Sequence, residues 1–138
     1  MKKLLIGLLA LGSVSTFANE VCNYKLSGNA SKAEARMAEG VLRSMGYEKA
    51  TSANDIDVVF SLNSTWYSTV QEPVVTLAGD HKASSKMIRL SDGVTVASAS
   101  RSTEDLLGYV GLAKDLRQKN ILKQTIKALP TCEEYLAK

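Results

Sequence analysis

His81 and Asp80 are the residues whose types and adjacency best suit acid–base catalysis, and His81 is the one imidazole of the chain. A serine hydrolase needs a nucleophile beside such a pair, and the sequence contains no Gly-x-Ser-x-Gly motif. Neighbouring residues of an extended strand also point to opposite faces, so Asp80 would not orient His81 there. We therefore expect no catalytic residue and place His81 in a surface loop. A small periplasmic or secreted enzyme that uses this pair is the alternative.

Asp55 and Asp57 stand two residues apart at the start of a strand pattern, where paired carboxylates could exchange protons or bind Ca²⁺. The Asp-x-Asp-x-Asp-Gly loop that would complete a calcium site is absent from the sequence. One histidine and two cysteines also rule out most zinc-site patterns. We expect these aspartates at a solvated strand entrance, and neither a metal nor a cofactor in the protein.

Lys119, Lys123 and Lys127 recur every four residues on a predicted helix and form what we call the lysine strip. Lys114 and Arg117 add to its charge. Such a strip could bind an anionic lipid surface or an acidic partner, and it is equally typical of the solvated face of an amphipathic helix. Nucleic-acid binding would require aromatic residues among the charges, and the strip has none.

Trp66 and Tyr67 are adjacent aromatic residues near a predicted strand end, and each combines a large apolar ring with a polar tip. Because side chains alternate along a strand, one ring faces the core and the other faces outward. Trp66 shares the phase of Leu62 and is predicted in the core. Tyr67 and the polar face of the sheet are therefore a possible binding surface.

The amino terminus has the three parts of a secretory signal: Met1-Lys2-Lys3, an apolar run from Leu4 to Leu11, and small residues up to Ala18. We expect residues 1–18 to be cleaved, leaving residues 19–138 as one domain. The apolar run is shorter than the about 20 residues that cross a bilayer, with an uncleaved anchor as the alternative. Loss of both lysines lowers the net charge from +3 to +1, which does not favour nucleic-acid binding.

The lysine-rich start is similar to bacterial signals, so we expect a periplasmic or secreted protein without a membrane span in its mature form. A lipid anchor would require a cysteine directly after small residues, whereas Cys22 follows Asn19-Glu20-Val21. Cys22 and Cys132 are predicted to form one disulfide in an oxidising compartment, since catalytic thiols usually lie in a Cys-x-x-Cys motif. Two free thiols or an intermolecular bond are the alternatives.

Ser31-Lys32-Ala33-Glu34 is a capping box and predicts the start of a helix that ends at Gly46. The apolar positions of this helix recur at helical spacing: Ala33, Met37, Val41, Leu42 and Met45. Residues 48–54 are predicted as a connector. Period-two alternation from Asp55 to Asn63 then predicts a strand with one buried face.

Further strands are predicted at three ranges: 74–78, 87–90 and 94–99. Gly79 is expected to interrupt this region, and Ser91-Asp92-Gly93 predicts a hairpin turn. Residues 102–105 have the hydroxyl and acidic side chains of a helix start. Apolar residues at helical spacing continue from there to Leu129, before Pro130.

This order of elements predicts an α+β fold, a two-layer sandwich in which two helices pack on one face of an antiparallel sheet of three to five strands. The other face of the sheet stays polar. The order across residues 20–129 resembles small two-layer envelope proteins such as the lipopolysaccharide-assembly lipoprotein and the amino-terminal domain of the Tol-Pal translocation protein. The resemblance implies a fold and no function, and the lipidation cysteine of the first family is missing here.

The sequence therefore predicts an exported, non-enzymatic binding or structural module of the bacterial cell envelope. Its partner would be an envelope protein or an anionic surface, and its oligomeric state is left open. Two alternatives are kept: a small enzyme that uses Asp80 and His81, and a membrane-surface protein that acts through the lysine strip.

Overall fold

The computed structural model describes residues 22–71, 76–106 and 111–137, with side chains other than those of residues 67–79 and 104–114. The predicted signal at residues 1–18 lies outside the described residues. No helix in the described ranges is long and apolar enough to cross a membrane.

The strands are β1 (Cys22–Gly28), β2 (Tyr47–Lys49), β3 (Val58–Gln71), β4 (Thr76–Arg89) and β5 (Thr95–Leu106). The helices are α1 (Lys32–Ser44), α2 (Gly111–Lys127) and α3 (Cys132–Leu136), and a 3₁₀ turn spans Ala53–Asp55.

The described strands form one mixed sheet in the order β2-β1-β3-β4-β5. β1 runs parallel to β2 and β3, because α1 carries the chain back to the end of the sheet where β1 began. β3, β4 and β5 then form an antiparallel meander. The predicted α+β fold is confirmed, and the sheet is mixed rather than antiparallel throughout.

The core lies between the inner face of the sheet and the two long helices. Period-two alternation puts Val58, Phe60 and Leu62 of β3 on that face, and all three are fully buried. The apolar stripe predicted for α1 supplies Leu42, and α2 supplies Leu122, both also fully buried. Both helices therefore cover one face of the sheet, as predicted, and the described side chains of the opposite face are mostly polar, with Val59 and Ile88 as an apolar pair.

The capping box at the start of α1 is present. Ser31 Oγ accepts a hydrogen bond from the Glu34 N–H at 3.2 Å, and Glu34 Oε1 accepts one from the Ser31 N–H at 2.9 Å. Gly46 follows the helix with a φ of 92°, as the predicted helix end requires. The predicted connector after Gly46 contains β2, a strand of three residues that pairs with β1. Three residues are too few for an alternation pattern to be visible in a sequence.

The strand predicted from Asp55 to Asn63 begins at Val58, after the 3₁₀ turn, and continues to Gln71. Two further predicted boundaries are wrong in the antiparallel pair of β4 and β5. β4 continues through Gly79, because the ladder pairs this residue with Ser68 on one side and Asp105 on the other. β5 runs to Leu106, so residues 102–105 are strand rather than the start of a helix, and the described part of α2 is Gly111–Lys127. Hydroxyl and acidic residues favour the start of a helix, but residues 102–105 pair with the main chain of β4 and are strand instead.

Gly28 ends β1 at a point where the main chain lies against β3. Its φ is 104°, in the region that favours glycine. A Cβ atom here would lie 1.9 Å from the carbonyl oxygen of Leu62, which is main chain and cannot move aside. Asn29 continues the contact, since its N–H donates to the same carbonyl at 3.0 Å. The position therefore requires glycine.

Gly28→Ala is expected to lower the free energy of unfolding by about 2 kcal/mol or more, since it combines a main-chain clash with an unfavourable φ. Gly40→Ala is the matched control: Gly40 lies inside α1, and a Cβ atom there would meet nothing else within 4 Å. The control is expected to stabilise the protein by about 0.5–1 kcal/mol. Urea unfolding followed by circular dichroism measures both. Equal stability of Gly28→Ala and wild type would contradict the close approach of the two strands.

A disulfide joins Cys22 in β1 to Cys132 at the start of α3, with the Cα atoms 5.8 Å apart, as predicted. Two hydrogen bonds hold the same corner. The Cys132 N–H donates to the Met45 carbonyl at 3.0 Å, and the Tyr47 hydroxyl donates to the Pro130 carbonyl at 2.6 Å. Burial raises the pKa of Tyr47, so its hydroxyl stays a donor over the physiological pH range. This corner fixes α3 against β1 and β2.

Replacement of both cysteines, Cys22→Ala with Cys132→Ala, is expected to lower the free energy of unfolding by about 4–5 kcal/mol. The bridge spans a sequence separation of 110, and closing so long a loop restricts the unfolded chain. Urea unfolding of oxidised wild type, reduced wild type and the double variant measures the effect. Reduced wild type should match the double variant. A loss of less than about 1 kcal/mol would contradict a supporting role for the bridge.

Candidate functional site

The predicted binding residues lie on α2 and β3. Lys119 and Lys123 of the lysine strip are half-buried and Lys127 is exposed, so the strip passes from the flank of α2 to its outer side. Tyr67 belongs to β3, and its side chain lies outside the described residues. Binding through the lysine strip or through Tyr67 stays a prediction.

His81 is fully buried in β4 and does not lie in a surface loop, which corrects the expectation from the sequence. Because β4 is uninterrupted, His81 falls in the inward phase with Ala83, Ser85 and Met87. Asp80 falls in the outward phase, so the two side chains do not meet and no catalytic pair forms. A His81→Ala change would remove a core side chain together with the imidazole, and it therefore cannot separate catalysis from folding.

Asp55 and Asp57 accept separate hydrogen bonds near the entrance of β3. Asp57 Oδ2 accepts from the Asn23 N–H at 2.9 Å, and Asp55 Oδ2 accepts from the Ser52 hydroxyl at 3.1 Å. Across the described ranges, no group of three or more His, Cys, Asp or Glu residues could hold a metal ion. The two aspartates stabilise this entrance to the strand.

Gln118 of α2 inserts its carboxamide between β3 and β4. The two N–H hydrogens of its nitrogen are shared among three acceptors, the carbonyls of Thr65 and Lys82 at 2.9 and 3.0 Å and Ser64 Oγ at 2.5 Å. Its oxygen lies 2.7 Å from His81 Nδ1. Since main-chain carbonyls can only accept, the nitrogen faces them and the oxygen faces His81. His81 Nδ1 therefore donates to Gln118 Oε1.

A buried carboxylate, Glu34, ends this chain of hydrogen bonds. Ser64 accepts from Gln118 and donates its hydroxyl to Glu34 Oε2 at 2.6 Å, while the Ser31 N–H donates to Glu34 Oε1. Glu34 lies in the first turn of α1, where the positive end of the helix dipole stabilises a negative charge. It is 9% exposed and forms no ion pair with any side chain that the structure describes.

A cavity of about 380 Å³ lies beside this network, between the start of α1, β3 and α2. We call it the α1–α2 cavity and define it by six of its lining residues: Glu34, Ser64, Gln118, Trp66, Asp115 and Lys119. Its floor is polar, with Glu34 buried and Ser64 and Gln118 partly buried, its wall is the partly buried Trp66 ring, and Asp115 is exposed at its rim. An aromatic ring beside a few convergent polar groups is typical of a small-molecule site.

The sequence contained a signal for this cavity. The inward phase of β3 runs through Val58, Phe60, Leu62, Ser64 and Trp66, so one polar residue stands in an otherwise apolar series. A polar side chain in a buried phase needs a hydrogen-bond partner from another element. Trp66, which was predicted in the core, is only partly buried because it lines the cavity.

The outward face of the sheet carries a shallower depression of about 430 Å³. Its lining is rich in hydroxyl groups and cations, with Ser84, Ser100 and Ser102 beside Lys82 and Arg101. These side chains can form hydrogen bonds and supply positive charge, but the depression has no enclosing wall. The α1–α2 cavity is therefore the better defined of the two sites.

No protein-family model and no curated protein matches the sequence. Solved structures with a similar fold include a variant of the PelC dodecamer from Paraburkholderia phytofirmans, at 15% identity and a TM-score of 0.50, over 78% of this chain and 85% of that one. The rare lipoprotein B of Shewanella oneidensis is similar at 13% identity and a TM-score of 0.50, over 83% of this chain and 93% of that one. At such identities the likeness concerns the fold alone.

Gln118→Met is expected to lower the free energy of unfolding by about 2–4 kcal/mol, because it leaves the His81 Nδ1–H without its acceptor and removes a hydrogen bond to each of two main-chain carbonyls. Gln124→Met is the control on the same helix, since the Gln124 side chain forms no hydrogen bond with any described residue. The control is expected to stay within about 0.5 kcal/mol of wild type. Urea unfolding measures both. If the two variants lose the same small amount, Gln118 does not stabilise the site.

Proposed function

We propose that residues 1–18 direct the chain out of the bacterial cytoplasm, and that residues 19–138 act in the periplasm or outside the cell as one binding module of the cell envelope. The disulfide between Cys22 and Cys132 is the observation that carries this proposal. Both cysteines are buried, and structural disulfides form in compartments where thiols oxidise. One solved structure with a similar fold is a lipoprotein, which agrees with an envelope location.

The hydrogen bonds in the floor of the α1–α2 cavity support binding rather than catalysis. Ser64 gives its proton to Glu34 and accepts one from Gln118, so its oxygen is held by two fixed partners. His81, the base that a serine nucleophile would need, bonds to Gln118 instead. A floor whose groups lock one another in place presents a preformed surface to a ligand.

Membrane-surface binding through the lysine strip is a second candidate. It is favoured by the position of Lys127, which is exposed at the end of α2, and of the half-buried Lys123 one turn earlier. Lysines placed in this way can reach anionic headgroups from one side of a helix. Contacts of this kind at the protein surface weaken as salt screens them.

Expression of the 138-residue chain in a bacterial host tests export. We expect the protein in the periplasmic or extracellular fraction, with Asn19 as its first residue and no reactive thiol until a reductant is added. Amino-terminal sequencing and thiol titration of each fraction measure both. A chain that starts with Met followed directly by Asn19 is the control, and it should stay in the cytosol with reactive thiols. Recovery of the uncleaved chain from the cytosol with both thiols reactive would overturn the proposal.

A further inference from the structure

We propose that the α1–α2 cavity binds an organic ammonium group, with the Glu34 carboxylate as its counter-ion and the Trp66 ring as its wall. The ligand is a small organic cation that carries a quaternary ammonium or a primary amine. The ammonium group is thus a ligand class for the binding module. The proposal rests on the proposed function in one respect, namely that the chain acts by binding.

The charges of the cavity favour a cation. Glu34 and Asp115 supply two carboxylates, and Lys119 is the one cation among the described lining residues. Asp115 and Lys119 stand four residues apart on α2, a spacing at which opposite charges offset each other on a helix surface. Glu34 is then a buried negative charge that no described side chain pairs. Because a buried charge costs free energy without a counter-charge, an ammonium ligand stabilises it.

The hydrogen bonds of the floor also favour a ligand that donates. An ionised carboxylate has about four lone-pair sites, and the Ser31 N–H and the Ser64 hydroxyl occupy one on each oxygen of Glu34. The Ser64 hydroxyl and the Gln118 nitrogen already donate to protein acceptors. A ligand that reaches Glu34 therefore meets an acceptor, and an ammonium group fits this position better than a phosphate does.

Trp66 supplies the second element of ammonium recognition. The negative face of an aromatic ring attracts a cation placed over it, and the indole ring does so most strongly. Trp66 lines the same cavity as Glu34, so the ring and the carboxylate face the same bound molecule. A volume of about 380 Å³ is large enough for a molecule of the size of choline, or for an amine with a longer chain.

Trp66 is the one tryptophan of the chain, so its fluorescence reports the occupancy of the cavity. We expect choline and n-butylamine each to change the emission of the purified, disulfide-bonded protein in a saturable way. The uncharged isostere of choline, 3,3-dimethylbutan-1-ol, should bind at least about tenfold more weakly, because it lacks the charge that Glu34 pairs. Comparison of choline with n-butylamine separates quaternary from primary ammonium ligands.

Glu34→Gln tests the counter-ion. Glutamine also completes a capping box, so α1 should keep its first turn while the affinity for choline falls at least about tenfold. Glu39→Gln is the matched control on the same helix. Glu39 pairs with Lys49 at 3.0 Å and does not line the cavity, so this variant should bind choline within about twofold of wild type.

Any of three results would overturn the proposal: no saturable response to either cation at millimolar concentration, equal binding of the uncharged alcohol, or unchanged affinity in Glu34→Gln. The comparison of choline with the alcohol uses wild-type protein, so it decides the question even where the variant does not fold. Export is measured in cells and cation binding in purified protein. Failure of the ammonium site is therefore distinguishable from failure of the proposed export.

Discussion

The carboxamide of Gln118 is the contact on which the polar half of the structure depends. It connects α2 to two strands at once, through the carbonyls of Thr65 and Lys82, which stand opposite each other in the β3–β4 ladder. It also accepts a hydrogen bond from His81 Nδ1 and bonds to the Ser64 hydroxyl. Buried polar groups cost free energy when they lack a partner, and His81 Nε2 already has none among the described residues. Loss of the Gln118 carboxamide would therefore deprive His81 of its remaining side-chain hydrogen bond.

A second anchor lies just beyond the carboxyl end of α2. The disulfide between Cys22 and Cys132 and the hydrogen bond from Tyr47 hold the segment that follows the helix. Between the two anchors α2 presents apolar side chains, such as the fully buried Leu122 and Ile126. Apolar burial supplies a large favourable free energy, but it is non-directional. The two directional anchors therefore set the position of the helix, and the apolar contacts between them stabilise it there.

The parts of this structure that could be predicted from the sequence have local signals. The capping box from Ser31 to Glu34 and the turn at Gly93 each lie within four residues, and both formed as expected. The site could not be predicted in the same way, because Gln118 and His81 are 37 residues apart and Ser64 is 30 residues from Glu34. The burial of His81 depends on strands that pair with β4 from both sides. Residue spacing carries no information on such partners.

Two buried polar contacts set the register of α2 on β4. Gln118 meets His81 and Thr125 meets Ser85, each at 2.7 Å. The helical partners are seven residues apart and the strand partners four, which corresponds to rises of about 10.5 Å and about 13 Å. These similar lengths require α2 to run in the direction of β4, with some tilt. The Ser85–Thr125 contact is sealed in the core and neutral, whereas the Gln118 contact leads on to Glu34. The interface between α2 and β4 therefore has two different polar contacts. The Thr125 contact lies within the core, whereas the Gln118 contact leads to a negative charge beside the cavity.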